Sequence, residues 1–301
     1  MLVAAEVVII GMAICAVGRG GASFAAGMHR IDFAAAPIAP VAAGATPHVV
    51  VDDAESRVHV AVSSDELVHV RDLTQMHGAI FSSGKYPPLV VMRTPDGVRI
   101  ERPRTQSPSI GIFGFSTQAI EVDVPPGAQL EIARSAGADV RGLAGGVSVH
   151  SLDGHVTLTD LRGSVDARSD DGYVYAANVR GDRLVMESMD GHLTLHDVAV
   201  ASLSATTHDG RIEADALSVS RDATLQTDDG PVRVRLAPNA DLTIDASTRD
   251  GRISVDGNSL DRDDSAQRTI RLGAGTGQMK LATADGSIRI FTNGEAQSNG
   301  L

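Results

Sequence analysis

The chain has 301 residues, of which 43% are hydrophobic, and its formal net charge at pH 7 is −12. The hydrophobic fraction is sufficient for a folded core and argues against global disorder, while the negative charge argues against nucleic-acid binding, which requires a basic surface. The sequence contains 31 glycines, no tryptophan and a single cysteine, Cys15, so it favours many turns and excludes an intrachain disulfide bond.

The first segment is apolar. Residues 7–18 form the uncharged run VVIIGMAICAVG between Glu6 and Arg19. This length is typical of the apolar region of a signal peptide and is marginal for a membrane helix, which needs about 20 residues. We predict that residues 1–18 form an apolar helix that acts as a signal or membrane anchor, with a buried N-terminal helix as the alternative. Residues 19–47 are rich in Ala, Gly and Pro and are predicted to form a linker.

Alternating apolar and polar residues begin at His48. Segments such as RVHVAVSS and LVHVRD have the two-residue period of β-strands and are separated by turn residues. Residues 119–135, AIEVDVPPGAQLEIARS, predict two strands joined by a Pro-Pro-Gly turn. We therefore assign residues 48–134 to an N-terminal strand region of the same domain as the repeat that follows.

A repeat of about 19 residues occupies residues 135–293. Each unit contains a small polar residue, any residue, Asp, Gly and then an alternating apolar segment, as in SLDGHVTL at residues 151–158. A second turn follows in each unit, so we predict two short strands and two turns per repeat. Successive Asp-Gly pairs lie 18, 19, 19, 20, 21 and 35 residues apart, with a polar insertion in the longest interval. Their aspartates are Asp153, Asp171, Asp190, Asp209, Asp229, Asp250 and Asp285.

Stacking of the units explains this pattern, because a unit of this length cannot bury its own apolar face but neighbours can share a core. We predict an all-β fold, namely a β-solenoid of parallel coils, and a β-sandwich of meandering strands is the alternative. Equivalent residues on successive coils are then expected about 4.8 Å apart. Residues 294–301 are predicted to be a flexible tail. One inward column is Val156, Val174, Leu193, Ile212, Val232, Ile253 and Ile288, and the next is Leu158, Ala176, Leu195, Ala214, Val234, Val255 and Ile290.

In three features the chain resembles the bacterial β-strand-repeat family of unknown function commonly labelled "putative adhesin". They are IEVDVPPGAQLEI, the series of S/T-x-D-G-x-V/I units, and the closing GQMKLATADGSIRI. The resemblance covers residues 45–293 and implies a β-rich, envelope-located and non-catalytic domain. The family has no assigned catalytic residues, so the resemblance transfers none to this sequence.

The recurring aspartates have three interpretations. Calcium ligands would require the nonapeptide period of a β-roll or the spacing of an EF-hand, and both are absent from the sequence. The catalytic carboxylates of a glycosidase or lyase would cluster, whereas these aspartates are spread evenly over the repeat. As turn residues, Asp accepts backbone N–H groups and Gly adopts the left-handed conformation. We predict this third role and therefore no catalytic, cofactor-binding or metal-binding residues.

Two further motifs are assigned to architecture. The residue after each Asp-Gly pair points outward, and His155 and His192 in this column are two coils apart, about 10 Å, which is too far to share a zinc ion. The tripeptide RGD at residues 180–182 occupies the position that RGS holds one unit earlier, so we interpret it as part of the second turn. The sequence also lacks a G-x-S-x-G nucleophile motif and a complete phosphate loop.

These observations predict a non-catalytic module of the bacterial envelope with a binding, adhesin-like or structural role. We expect it to be anchored in the cell membrane through its N-terminus, with the β domain outside the cytoplasm. Expected partners are an envelope protein, a cell-wall polymer or further copies that contact the solenoid ends, without a cofactor or nucleic acid. The alternatives are a carbohydrate-active β-helix enzyme, either a hydrolase or a lyase, and a membrane-tethered partner of an envelope-stress system.

Overall fold

A computed structural model of the protein describes residues 28–81, 87–103, 110–259 and 266–292. These residues form 25 β-strands and no helix, and therefore contain no helix long and apolar enough to cross a membrane. The prediction of an all-β protein is confirmed. The predicted anchor helix at residues 1–18 and the predicted tail at residues 294–301 lie outside the described residues.

The strands are short except in the middle of the chain, where β16, β17 and β18 contain 15, 17 and 18 residues. Along each of them buried and exposed side chains mostly alternate, as expected for strands with one face on a core. In chain order the strands are β1 (Met28–Ala34), β2 (Val41–Ala42), β3 (His48–Asp52), β4 (Arg57–Val62), β5 (Leu67–Asp72), β6 (Gln75–Phe81), β7 (Val90–Arg93), β8 (Gly97–Glu101), β9 (Ile110–Thr117), β10 (Ala119–Val124), β11 (Gln129–Ser135), β12 (Ala138–Arg141), β13 (Val147–Ser151), β14 (Val156–Thr159), β15 (Val165–Ser169), β16 (Val174–Ser188), β17 (Leu193–Asp209), β18 (Ile212–Asp229), β19 (Val232–Leu236), β20 (Leu242–Asp250), β21 (Ile253–Val255), β22 (Asn258–Ser259), β23 (Ala266–Arg271), β24 (Gly277–Asp285) and β25 (Ile288–Phe291).

The chain divides into two compact units, of which the first comprises residues up to Pro37 together with residues 72–90 and 102–118. In this unit β6 pairs with β1 on one side and β9 on the other, and both pairings are antiparallel. Arg102 donates to the carboxylate of Asp72 at 3.0 Å, and the two side chains are only 4% and 2% exposed. A buried ion pair needs further hydrogen bonds to offset its desolvation, and Arg102 also donates to Thr74 and to the Pro87 carbonyl.

The second unit is a parallel β-solenoid that includes residues 38–71, 91–101 and the chain from residue 119 onward. Its coils form two parallel ladders, which we call face A and face B. Because the strands within each ladder are parallel, the predicted solenoid is confirmed and the antiparallel β-sandwich is excluded. Face A runs in spatial order through β8, β3, β11, β13, β15, the second halves of β16, β17 and β18, then β24 and β20. Face B runs through β10, β4, β12, β14, the first halves of β16, β17 and β18, then β19, β25 and β21.

The core lies between the two faces and is made of the columns predicted from the repeat. Every residue of the two columns is buried, with relative exposures of 0–3%, except Val255. Val255 is half-buried because β21 is the outermost parallel strand of face B. A further buried column, Leu161, Val179, Val198 and Leu217, closes the short side between the two faces. These stacked aliphatic side chains supply the main hydrophobic stabilisation of the unit.

The Asp-Gly corners, where face A passes into face B, are held by hydroxyl groups. The small polar residue that opens each repeat motif is buried. Except in the first unit, where Ser151 donates to Gly154 of its own coil, its hydroxyl donates to the carbonyl of the glycine in the neighbouring coil. For example, Thr207 donates to Gly191 at 2.8 Å. Equivalent bonds of 2.8–3.0 Å are made by Ser169, Ser188, Thr227, Thr248 and Thr283.

The structure corrects the predicted roles of Asp and Gly at these corners. All seven aspartates are exposed, and among the described residues no hydrogen bond reaches the carboxylate of Asp153. Of the seven glycines only Gly230 has a positive φ, of 143°. A Cβ on Gly191 would lie 2.0 Å from the carbonyl oxygen of Gly172, so glycine is required by the close approach of the coils and not by a left-handed conformation.

The second corner, where face B passes toward face A, differs from the predicted turn. In the central coils the strand continues through this corner, so β16, β17 and β18 each replace the two short strands that we expected. The direction changes at one residue per coil with φ of 50–57°, a left-handed conformation that Asn and Asp tolerate best among non-glycine residues. These residues are Asp160, Asn178, Asp197 and Ala216.

The coils do not stack in chain order at the C-terminal end, which corrects the predicted columns. β25 lies between β19 and β21, because Ile288 is in register with Val232 on one side and Ile253 on the other. β24 likewise lies between β18 and β20, and β23 adds an antiparallel strand outside β20. A similar insertion occurs at the other end, where β10 pairs with both β4 and β5.

Two carboxylates hold the inserted segment in place. At its start, Asp241 accepts hydrogen bonds from the hydroxyl of Thr276 at 2.9 Å and the N–H of Gly275 at 2.5 Å. These bonds, with that of Thr276 first in size, lower the pKa of Asp241. At its end, Asp256 accepts from the N–H of Thr292 at 2.8 Å and from its hydroxyl at 2.5 Å. The inserted coil, formed by β24 and β25, is thus fixed at both ends by Asp241 and Asp256, which flank the outer strands β20 and β21.

Candidate functional site

A groove of about 730 Å³ lies on the outer surface of face A of the solenoid. We call it the face A groove. Outward residues of β11, β13, β15, β16, β17 and β18 line it, so it crosses six neighbouring strands. Since parallel strands are about 4.8 Å apart, equivalent positions on neighbouring strands place one side chain after another along the groove at this interval.

The sequence creates the groove by alternating short and long outward side chains. Ala133, Ser148 and Thr206 have short side chains, and they leave space beside the longer side chains of Arg168 and Glu187. All five residues sit on strands whose inward neighbours are buried in the core. Most of the groove is therefore formed by the ladder of strands, and Asp170 and Met189 come from the corners that follow β15 and β16.

Ion pairs between neighbouring coils fix the polar side chains of the groove. Arg168 contacts Asp166 at 3.0 Å and Glu187 of the next strand at 3.4 Å. His150 Nε2 lies 3.3 Å from Asp170, one coil further along. These contacts hold the charged groups against one another along the surface, and none of these side chains is buried.

A second histidine lies further along the groove, where His208 Nδ1 is 2.7 Å from Asp228 Oδ2 of the adjacent coil. The hydrogen bond with Asp228 raises the pKa of His208, and the nearby charges of Asp209, Asp228 and Asp190 raise it further. The imidazole therefore keeps its positive charge to a higher pH than a free histidine.

The groove as a whole is acidic. Its lining contains five carboxylates and one arginine, Arg168, in addition to the two histidines. Such a lining offers many hydrogen-bond acceptors together with hydroxyl groups, and it favours neutral or positively charged groups over anions. The five carboxylates belong to Glu131, Asp166, Asp170, Glu187 and Asp228.

The Asp-Gly aspartates form a separate column at the corner beside the groove. They are exposed and lie one per coil, so the structure does not bring any two of them together in a pocket. Within the part of the chain that the structure describes, no group of three or more His, Cys, Asp or Glu side chains could hold a metal ion. The corner is therefore a ladder of solvated carboxylates.

The two histidines occupy the places predicted for them, whereas the RGD tripeptide does not. The ring of Tyr173 stacks on that of His155 with centroids 3.7 Å apart. Tyr173 belongs to the coil between those of the two histidines, so His155 and His192 are two coils apart, as predicted. RGD lies inside β16, and this replaces the predicted turn. There the guanidinium of Arg180 donates to Asp197 at 2.7 Å, and a Cβ on Gly181 would lie 2.0 Å from the Gly163 carbonyl oxygen.

Sequence reasoning missed the face A groove because it treated the residues around the buried Ser or Thr as variable. The residue just before that position points outward into the groove, as His150, Arg168 and Glu187 do. The residue just after it also points outward, as Asp170 and His208 do. The recurrence of charged residues and histidine at these two positions was the available signal.

The comparisons with known proteins concern nearly the whole solenoid. The family model described as Toastrack DUF4097 matches residues 48–292, which confirms the family resemblance seen in the repeat. A search of curated proteins gives no match.

Two solved structures are among those similar to this chain. One is a "putative cell adhesion protein" from Clostridium sporogenes ATCC 15579, with 7% identity over 88% of this chain and 100% of its own, and a TM-score of 0.26. The other is a "putative adhesin" from Bacteroides fragilis NCTC 9343, with 10% identity over 87% of this chain and 96% of its own, and a TM-score of 0.35. At these identities and scores, neither structure supports a functional inference.

Proposed function

The chain belongs to the Toastrack DUF4097 family, and we propose that it is a non-catalytic binding module of the bacterial envelope. In this proposal the face A groove binds an extended polymer along the solenoid. The observation that carries the proposal is the shape of the groove, which runs across six stacked strands and presents at least one polar side chain from each. A regular ladder of this kind matches a ligand that is itself a regular repeat.

The placement of the carboxylates supports a binding role over catalysis. Hydrolysis of a sugar polymer uses two carboxylates that face one bond and have different environments. Here Asp166 and Glu187 share Arg168, and Asp170 and Asp228 each lie beside a histidine. Each carboxylate is held by a basic neighbour on the surface and is not aimed at a common point.

The acidic lining indicates the chemistry of the polymer. Carboxylates and hydroxyls accept hydrogen bonds from hydroxyl, amide and ammonium groups. A cell-wall polymer with hydroxyl, amide and free amino groups fits this surface better than a polyanion does. The envelope location rests on the apolar residues 7–18, which are typical of an exported or anchored protein.

Binding is tested by co-sedimentation of the full chain with purified bacterial peptidoglycan, which carries hydroxyl, amide and amino groups. Ser148→Phe fills the groove, and Ser218→Phe is the matched control because Ser218 is an exposed strand residue outside the groove lining. We expect the first variant to lose binding and the second to retain it. Equal binding by both variants, or no binding by the unchanged protein, would contradict the proposal.

Two further readouts separate the proposal from its alternatives. Release of soluble sugar fragments from the polymer during incubation would instead indicate a carbohydrate-active enzyme. Fractionation of cells, followed by protease treatment of intact cells, tests the location. We expect the protein in the membrane fraction and accessible to protease, and recovery in the soluble cytosolic fraction would overturn the envelope assignment.

A further inference from the structure

Two arginines stand side by side on the outer surface of face B near its C-terminal end. Arg233 of β19 and Arg289 of β25 are register partners on adjacent parallel strands. Both side chains point away from the core, since their strand neighbours Val232, Val234 and Ile288 are buried. Arg289 is exposed and Arg233 is half-buried. Adjacent strands place the two side chains about 4.8 Å apart at the backbone.

The two guanidinium groups lack the acidic partners that some arginines of this unit have. Arg57 pairs with Asp139 and Arg134 pairs with Asp52 across neighbouring strands. Within the described residues, Arg233 and Arg289 form no ion pair. Like charges placed opposite each other on neighbouring strands destabilise a sheet, so this pair has an electrostatic cost.

An aromatic ring orients one of the two groups. The guanidinium carbon of Arg233 lies 5.1 Å from the centre of the Phe291 ring, and that of Arg235 lies 5.5 Å from it. Arg235 is already engaged with Asp215 at 2.7 Å, whereas Arg233 keeps its N–H groups available. Stacking on a ring fixes the plane of a guanidinium without using its hydrogen-bond donors.

The pair exists only because the last coil is inserted out of chain order. If the coils followed the sequence, Ser254 of β21 would be the neighbour of Arg233. Instead β25 enters between β19 and β21, and Arg289 lies between Arg233 and Ser254. The same insertion brings Phe291 beside Arg235. One topological feature thus assembles both guanidinium groups and the ring that supports them.

We propose that Arg233 and Arg289 form a binding site for a phosphate-type oxyanion. Two forked guanidinium groups on neighbouring strands offer parallel N–H donors that match the oxygens of a phosphate, and a bound anion would relieve their mutual repulsion. On the side away from Arg289, Arg233 borders a groove of about 300 Å³ on face B whose lining also includes Glu213 and Asp215, so the anion is expected between the two arginines and not in this groove.

The neighbouring groups modulate this site. Ser254, the register partner of Arg289 on its other side, adds a hydroxyl donor. Glu213, the register partner of Arg233 on its other side, forms no ion pair with it but places a negative charge one strand away. Glu213 therefore opposes anion binding and provides a variant that should strengthen it.

The test uses the full chain and inorganic pyrophosphate, with binding measured by isothermal titration at low salt. We expect Arg289→Gln to weaken binding about fivefold, as does Arg233→Gln, because each removes one charge close to the anion. Arg183→Gln is the matched control, since Arg183 is an exposed strand arginine on face A, and it should leave the affinity unchanged. Glu213→Gln should strengthen binding by about the same factor as loss of an arginine weakens it.

Thermal unfolding of the same variants distinguishes a binding role from a structural one. Arg289→Gln should leave the melting temperature unchanged or raise it, because it removes a like-charge contact. A fall in both stability and affinity in Arg289→Gln but not in Arg183→Gln would assign the pair a structural role and overturn the proposal. So would an absence of pyrophosphate binding by the unchanged protein.

The source of the anion is resolved in a parallel experiment with vesicles. Flotation with phosphatidylglycerol vesicles is compared with phosphatidylcholine vesicles, in which each phosphate is paired with a choline cation. Binding to the first that is lost in Arg289→Gln indicates a lipid headgroup, whereas binding of pyrophosphate alone indicates a free or polymer-borne phosphate. Either result supports the oxyanion site, and retention of both activities by Arg289→Gln contradicts it.

Discussion

The central coils and the C-terminal end of the solenoid are built from the same repeat but are connected differently. Within residues 138–236 the coils stack in chain order, so strands of this segment that are neighbours on one face lie one repeat apart in the sequence. At the C-terminal end, β24 and β25 enter between strands that precede them in the chain. The repeat therefore determines the structure of each coil, while the connections between repeats determine which coils lie next to each other in the stack.

The same corner contact shows the physical difference between these regions. Thr207 reaches the carbonyl of Gly191, which is 16 residues away, whereas Thr283 makes the equivalent bond to Gly230 across 53 residues. The two bonds have nearly equal lengths of 2.8 and 2.9 Å. The longer connection has a larger loop-closure entropy, so the inserted coil is expected to form after the central coils.

The largest effect is expected from a methyl group at an Asp-Gly corner of the central coils. In Gly191→Ala the new Cβ would lie 2.0 Å from the Gly172 carbonyl oxygen, between two coils that cannot separate. We expect a loss of about 3 kcal/mol in the free energy of unfolding, measured by urea denaturation.

The matched change at the end of the solenoid is Gly251→Ala, where the Cβ would lie 1.8 Å from the Gly286 carbonyl oxygen. Because β21 is the outermost parallel strand of face B, this coil can shift outward, and we expect a loss of only about 1–2 kcal/mol. Gly146→Ala is the control, since its nearest neighbour would be 3.9 Å away, and it should have little effect. Equal losses at Gly191 and Gly251 would show that the end is as constrained as the middle.

A smaller effect is expected when the corner hydroxyls are removed. Thr207→Val and Thr283→Val keep the shape of a buried side chain but leave a glycine carbonyl without its hydroxyl donor. Each should lower the free energy of unfolding by about 1–2 kcal/mol. Thr207→Ser retains the hydroxyl, so its free energy of unfolding should be close to that of the unchanged protein.

The kinetics of these two variants should separate the regions. If the central coils form first, Thr207→Val mainly slows refolding, whereas Thr283→Val mainly accelerates unfolding. Stopped-flow measurements in urea test this order. A slower refolding rate in Thr283→Val, with Thr207→Val unaffected, would reverse the proposed sequence of events.

The parallel stack and its core could be predicted because both follow from periodicity. A period of about 19 residues with alternating apolar positions leaves few ways to bury Val156 and Leu158 other than against the next unit. The order of the last coils could not be predicted, because Ile253 and Ile288 are equally suitable neighbours for Val232. The 35-residue interval between Asp250 and Asp285 showed that the repeat was interrupted, but it did not show where the chain would return.

The chemistry of the corner was predicted wrongly for a related reason. Asp-Gly is common in isolated turns, where Asp accepts hydrogen bonds and Gly has a positive φ. In a stack, the nearest groups belong to another coil, so the buried hydroxyl of Ser169 or Thr207 and the missing Cβ of Gly191 decide the geometry. Contacts between coils are not visible in the sequence of one repeat.

A modest gain in stability is expected at the second corner of the last central coil. Ala216 has a φ of 54°, although the equivalent residues of the preceding coils are Asp160, Asn178 and Asp197. Asparagine adopts this conformation more readily than alanine, so Ala216→Asn should raise the free energy of unfolding by about 1 kcal/mol. Asn178→Ala is the reverse control and should be destabilising, since it also removes a 2.5 Å bond to Asp160.

The smallest effect is expected at the Asp-Gly carboxylate itself. Asp153 is exposed, and no hydrogen bond to its carboxylate is found among the described residues, so Asp153→Asn should change the free energy of unfolding by less than about 0.5 kcal/mol. Ser169→Ala in the adjacent coil removes the buried hydroxyl that donates to Gly154 at 3.0 Å and should cost about 1 kcal/mol. Urea denaturation of the two variants side by side tests which group holds the corner. A larger loss in Asp153→Asn than in Ser169→Ala would return the carboxylate to the role that its recurrence in the sequence first indicated.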